Sequence, residues 1–164
     1  MTRASFSIEN VKNRELTVGV VGLGFVGLPT AVRFFDAGFN VFGIDVSEDV
    51  ISSLQEGNNP ISDPVFDEKI PPVSESRWNV TSSFSASIPN CDVVIVTVPT
   101  PVSPEKHLDD KYLMNAGQSI FENITSGSGT IVVLESTVYP GLTREIWIPL
   151  MENSGLELGI DVHL

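Results

Sequence analysis

The sequence predicts an α/β protein of Rossmann type, a doubly wound and mainly parallel sheet with helices on both faces. Three observations carry this expectation. Short β-branched runs alternate with helix-length amphipathic stretches, the signature of βαβ units. The strand-like runs are apolar almost throughout, as strands are when helices cover both faces of a sheet. The first run leads straight into Gly22-Leu23-Gly24-Phe25-Val26-Gly27, glycines at the spacing of a strand-turn-helix junction that receives a dinucleotide.

Size and charge bound the possibilities. The 164 residues fit one domain with a proper core. The apolar fraction is 41%, and no apolar run approaches the ~18–20 residues of a membrane span. The first residues lack the continuous apolar segment and cleavage pattern of a secretory signal, so the expected location is cytoplasmic. The single cysteine, Cys91, makes no internal disulfide and offers no metal-ligand spacing, and no metal site is expected. A net charge of −12 with no stripe of Lys or Arg argues against nucleic acid and anionic membrane as partners.

Taken in order, residues 1–15 read as a flexible or loosely docked arm, and the ordered chain is expected to begin near Leu16. Residues 16–21 form the first strand. A helix over 25–37 places Val26, Ala31, Phe34 and Phe35 roughly on one face, and Gly38 stops it. Residues 40–45 make the second strand. Ser47 caps a second helix, Glu48 and Asp49 suit the positive end of its dipole, and Gly57 ends it.

Residues 58–76 read as largely irregular, with a helical turn around 64–69, and residues 78–81 as a short third strand. The run 92–98 is the clearest strand, too short for a helix and heavily β-branched, and it stops at Pro99-Thr100-Pro101. A helix over 111–124 and a fifth strand over 130–135 follow. Pro140-Gly141 is expected to open a helix toward Asn153 that Pro149 bends, and residues 159–164 to form a last strand.

The glycine motif assigns distinct work to its members. Gly22 permits the tight turn, Gly24 lets the backbone approach a pyrophosphate, and Gly27 allows close packing of helix on strand. Phe25 and Val26 would offer backbone N–H groups at the helix N-terminus, where partial positive charge meets the phosphates. Asp45 ends the second strand 18 residues after Gly27, where a carboxylate accepts hydrogen bonds from an adenosine ribose and repels a 2′-phosphate. NAD is therefore expected over NADP, with FAD and S-adenosylmethionine as the other ligands such a motif serves.

Three motifs in order extend this reading. Gly22-Leu23-Gly24-Phe25-Val26-Gly27-Leu28-Pro29, then Val98-Pro99-Thr100-Pro101, then Glu135-Ser136-Thr137-Val138-Tyr139-Pro140-Gly141-Leu142-Thr143 resemble the NAD-binding domain of the UDP-glucose/GDP-mannose dehydrogenase family. The sequence is most similar there to UDP-N-acetyl-hexosamine (glucosamine or mannosamine) 6-dehydrogenases, over residues 16–164. All three fall at carboxyl ends of expected strands, where an open parallel sheet binds its ligand.

The resemblance implies that Val98, Pro99 and Thr100 lie beside the cofactor. It also implies that Thr137 contacts NAD and helps to hold water or a substrate oxygen at the reacting carbon, with Glu135 a further candidate at the same strand end. Each has a plainer reading: Thr100 lies in a proline-braced turn, Thr137 could cap the following helix, and Glu135 could face solvent. His107 and His163 show no partner pattern. Cys91 stands at the entry of its strand, the wrong end of the sheet for chemistry, and reads as a small buried thiol.

For a full-length enzyme the resemblance implies oxidation of a nucleotide-sugar C6 alcohol to the carboxylate with two NAD, through a cysteine thioester that water hydrolyses. The cysteine, a lysine, an asparagine and the nucleotide-sugar domain belong to segments outside this sequence, so the chain is expected to be an inactive fragment of a homo-oligomer, itself a monomer. Two alternatives stay open: a stand-alone NAD-binding regulatory module, and the NAD-binding domain of a 6-phosphogluconate or hydroxyacyl-type dehydrogenase. The second leaves the threonine motifs unaccounted for, and a methyltransferase is a further reading of the glycines alone.

Overall fold

The computed structural model describes residues 7–61, 69–102 and 109–164. The expected turn starting at Pro64, and His107, lie outside them. Six strands form one sheet: β1 (Thr17–Val21), β2 (Asn40–Ile44), β3 (Trp78–Thr81), β4 (Val93–Val96), β5 (Thr130–Leu134) and β6 (Val162–His163), in the order β3-β2-β1-β4-β5-β6. Every neighbouring pair is parallel. This is the doubly wound Rossmann arrangement, with its switch point between β1 and β4.

Strand alternation divides the core in two. Val18 and Val20 of β1 and Ile95 of β4 face one side, where α2 (Gly27–Asp36) and α3 (Glu48–Gln55) cover them with Leu28, Ala31, Val32, Ile51 and Leu54. Val21, Val94, Val96 and Val132 face the other, beneath α5 (Lys111–Phe121) and α6 (Ile148–Asn153), where Leu113, Ile120, Trp147 and Met151 are buried. A strand carrying apolar residues on both faces is stable only between two such layers. Among the described residues no helix is long and apolar enough to cross a membrane.

Three elements depart from the sequence expectation. A short helix α1 (Ile8–Lys12) lies within the stretch expected as an arm; Ser7 caps it, and Arg14 ties the segment down by donating to Ala37 O at 2.9 Å and stacking over Phe39. A second, α4 (Phe84–Ser87), precedes a 3-10 turn at Ile88–Asn90. The sequence predicts no element in this serine-rich stretch; Ser83 caps the helix, Ser87 bonds back to Ser83 O at 2.8 Å, and Ile88 is buried beneath the sheet.

The third departure is the helix expected to open at Pro140. It begins instead as a π-turn at Thr143–Trp147 and becomes regular only in α6. Pro149 lacks an N–H and crowds the carbonyl four residues back. Just before it the chain takes a wider turn, Ile148 N–H reaching Thr143 O.

Asp161 fastens β6 to the rest. Its buried carboxylate accepts from Ser126 Oγ at 2.9 Å, from Gly127 N–H, and from Glu157 N–H at 2.7 Å. The backbone bonds from Gly127 and Glu157, then that from Ser126, hold its carboxyl below the usual carboxylate range. A depressed folded-state value means that the stabilisation is full above about pH 3.9, the ordinary aspartate value, and drains away as pH falls through the folded one. Asp161→Asn should therefore flatten the fall of Tm below about pH 4; parallel Tm profiles for the two proteins would contradict this role.

Candidate dinucleotide-binding site

β1 and β4 are neighbours whose following helices pack on opposite faces, so the connections leaving their carboxyl ends diverge and open a crevice. The cleft there encloses about 770 Å³, in the range of small-molecule sites. Gly22, Gly24, Phe25, Val26 and Asp45 line one wall, and Val98, Pro99, Thr100, Glu135 and Thr137 line the other. Three sequence motifs separated by tens of residues thus meet at one place.

The three glycines of the motif differ in their surroundings. Gly22 has φ of +92°, and a Cβ there would meet Thr97 O at 2.9 Å. Gly27 is buried under the loop; a Cβ on it would stand 1.8 Å from Gly22 O. Gly24 differs from both, since a Cβ there would touch nothing within 4 Å. Open space lies above Gly24, and it is the space into which the start of α2 points.

That helix start is left without a side-chain cap at Val26, and the N–H groups of Phe25, Val26 and Gly27 have no acceptor among the described residues. The first partnered amide is Leu28, which donates to Gly24 O at 3.1 Å. Unsatisfied donors and the positive end of the helix dipole together favour an anion. Phe25 and Val26 are 70% and 57% exposed, so their backbones flank an accessible cradle.

Asp45 does more than its position in the sequence suggests. Its Oδ2 accepts from Leu23 N–H at 2.7 Å and its Oδ1 from Ser47 N–H at 2.9 Å. The carboxylate therefore braces the glycine loop from the neighbouring strand. A carboxylate offers about four lone-pair directions, so two remain for hydroxyl donors in the cleft it lines.

On the opposite wall Ser136 Oγ donates to Val98 O at 2.8 Å and links the ends of β5 and β4. Glu135 and Thr137 are exposed and face the cleft. Cys91 is fully buried at the other end of β4, donating to Ser87 O at 3.3 Å, and His163 sits beside the start of β5. Neither approaches the crevice.

Sequence reasoning missed several lining residues. Phe84 comes from the unexpected α4, and Val46 and Thr97 flank motifs without belonging to them. Tyr112, Asn115, Ala116 and Ser119 present one face of α5 to the cleft. Their spacing of three, four and seven is a helical stripe that could have been read from the sequence.

A switch-point crevice, a bare glycine before an uncapped helix and a carboxylate at the end of the next strand define a dinucleotide-binding domain. Comparison with known proteins specifies which. The profile of the UDP-glucose/GDP-mannose dehydrogenase family, NAD binding domain, matches residues 16–164, and the chain belongs to that family.

Relatives agree. The chain is 37% identical over 149 residues to UDP-N-acetyl-D-glucosamine 6-dehydrogenase of Pseudomonas aeruginosa, covering 90% of this chain and 34% of that protein. It is 33% identical to UDP-N-acetyl-D-mannosamine dehydrogenase of Pyrococcus horikoshii, covering 91% and 35%. The crystal structure of a ternary complex of GDP-mannose dehydrogenase from Pseudomonas aeruginosa superposes with a TM-score of 0.80 at 30% identity, over 89% of this chain and 34% of that one. The chain thus spans about a third of the length of these relatives.

The cofactor of this domain family is NAD, and the residues present fit it. A Cβ on Gly24 would meet no atom within 4 Å, so the space over the helix start is open, and the Asp45 carboxylate at the cleft wall has lone pairs left to accept from hydroxyl groups.

Proposed function

We propose that the protein to which this domain belongs oxidises the C6 alcohol of a nucleotide sugar, a UDP-N-acetylhexosamine, to the carboxylate with two NAD. The observation that supports this is the convergence of the Val98-Pro99-Thr100 and Glu135-Ser136-Thr137 segments on the cleft wall opposite the pyrophosphate cradle. A cofactor lying across the crevice from Asp45 would present its reactive ring to that wall. NAD supplies a hydride acceptor.

The chain's own residues do the positioning. The amides of Phe25, Val26 and Gly27 hold the phosphates, Asp45 the adenosine ribose, and Val98, Pro99 and Thr100 the second ribose. Thr137 supports an oxygen at the reacting carbon, and Glu135 is placed at the same strand end to assist. Such orientation contributes to rate through lost freedom that binding has already offset. The nucleotide sugar is bound mainly by other parts of the protein, which functions in the cytoplasm as a homo-oligomer; the acidic surface gives neither nucleic acid nor membrane a role.

Oxidation of a UDP-N-acetylhexosamine by the full-length protein should yield two NADH per sugar, with NADP used at least about tenfold less efficiently. Asp45→Ala should raise the KM for NAD and narrow that preference. One NADH per sugar would contradict the double oxidation, and an unchanged NAD preference would show that the ribose is read elsewhere.

A further inference from the structure

Thr97 belongs to none of the three motifs, yet it touches the one loop on which cofactor binding depends. It lies one residue beyond β4, and its N–H donates to Val21 O at 2.9 Å as the last rung between β4 and β1. Past that rung the backbone ladder ends, and the glycine loop has to leave the sheet. The Thr97 hydroxyl takes over there: Oγ1 is 2.8 Å from Gly22 O and 3.1 Å from Val21 O.

The same oxygen sits against the start of α2. A Cβ placed on Gly27 would lie 2.4 Å from Thr97 Oγ1 and 1.8 Å from Gly22 O. Gly22 O, Thr97 Oγ1 and Gly27 thus form one tight contact beneath the loop. Two things follow from it. The carbonyl of Gly22 is drawn inward, so its negative end is kept away from an anion. The loop is also held in the arrangement in which the Phe25, Val26 and Gly27 amides have no protein partner among the described residues, beside the cleft that Phe25 and Val26 line.

We infer that Thr97 is a positioning residue for the cofactor pyrophosphate, acting through Gly22 and not by contact with the phosphates. The inference rests on the reading of this cleft as an NAD site. Asp45 braces the loop from β2 through Leu23 N–H, and Thr97 braces it from β4. The two anchors grip successive residues from opposite sides, which makes the cradle rigid before any ligand arrives. Preorganised donors bind more tightly because ordering is not charged against binding.

The test compares Thr97→Ala, Thr97→Ser and the parent by calorimetric or NMR titration with NAD, ADP-ribose and adenosine, together with Tm. Loss of one hydrogen bond corresponds to roughly a tenfold change in affinity. Thr97→Ala should weaken NAD and ADP-ribose by about that factor and leave adenosine, which has no phosphate, within about twofold; Thr97→Ser, which keeps the hydroxyl, should restore both.

A lowered Tm with unchanged affinities would show a structural part only and overturn the inference. So would equal weakening of adenosine, or failure of Ser to restore binding. A parent chain that binds neither NAD nor ADP-ribose would overturn the underlying reading of the cleft as well, which separates the two failures.

Discussion

Gly24→Ala should leave the fold intact and abolish useful NAD binding: Tm within about 2 °C of the parent, and affinity lower by at least about a hundredfold. The fold survives because Gly24 is not in the left-handed region and a Cβ there meets no atom within 4 Å. The replacement even removes some freedom from the unfolded chain. Binding fails because the methyl group occupies the space over the helix start that a phosphate must enter. Pushing an oxygen outward by about 1 Å breaks hydrogen bonds to amides that need about 2.9 Å. A Gly24→Ala chain binding NAD within threefold of the parent would show that the pyrophosphate lies elsewhere.

Gly27→Ala should have the opposite character, destroying the fold. A Cβ at 1.8 Å from a backbone carbonyl cannot be accommodated by side-chain rotation, since Gly22 O is held by Thr97 and the loop by Asp45. Helix α2 or the loop would have to move by more than 1 Å, and α2 carries Leu28, Ala31 and Val32 of one core. Overpacking costs of about 1–3 kcal/mol apply where side chains can shift. Here backbone must, and a loss above about 4 kcal/mol is expected, a large share of a domain's ~5–15 kcal/mol. Urea unfolding checks this, and a loss below about 1 kcal/mol would contradict the packing described.

Two glycines three residues apart are thus expected to be required on different grounds, Gly24 by the proposed ligand and Gly27 by the chain itself. The spacing in the sequence announces both roles because Rossmann geometry leaves no other way to pass from a strand to a helix over a phosphate. The strands were legible for a related reason: runs such as Val93–Val96 are apolar on both faces and too short for a helix, so sheet burial is their only stable use.

What escaped the sequence depends on distant partners. Thr97 is indistinguishable from any strand-end threonine until Gly22, 75 residues earlier, is seen to accept its hydrogen bond. The bracing of Leu23 by Asp45 is likewise invisible in a motif that records only spacing. Helix α4 forms from residues of weak propensity because serine side chains satisfy its ends and Ile88 is buried beside it. The π-turn before α6 lies just before Pro149, whose presence is evident in the sequence while the form of the turn is not.

The central claim is that the cofactor's phosphates rest on the amides beginning α2. Titrating NAD into 15N-labelled chain and following every amide resonance tests it most directly. Phe25, Val26 and Gly27 should show the largest shifts, reproduced by ADP-ribose, while Cys91 and Gly127 at the far end of the sheet stay still. Unmoved resonances at residues 24–27, with NAD shifting amides elsewhere, would contradict it.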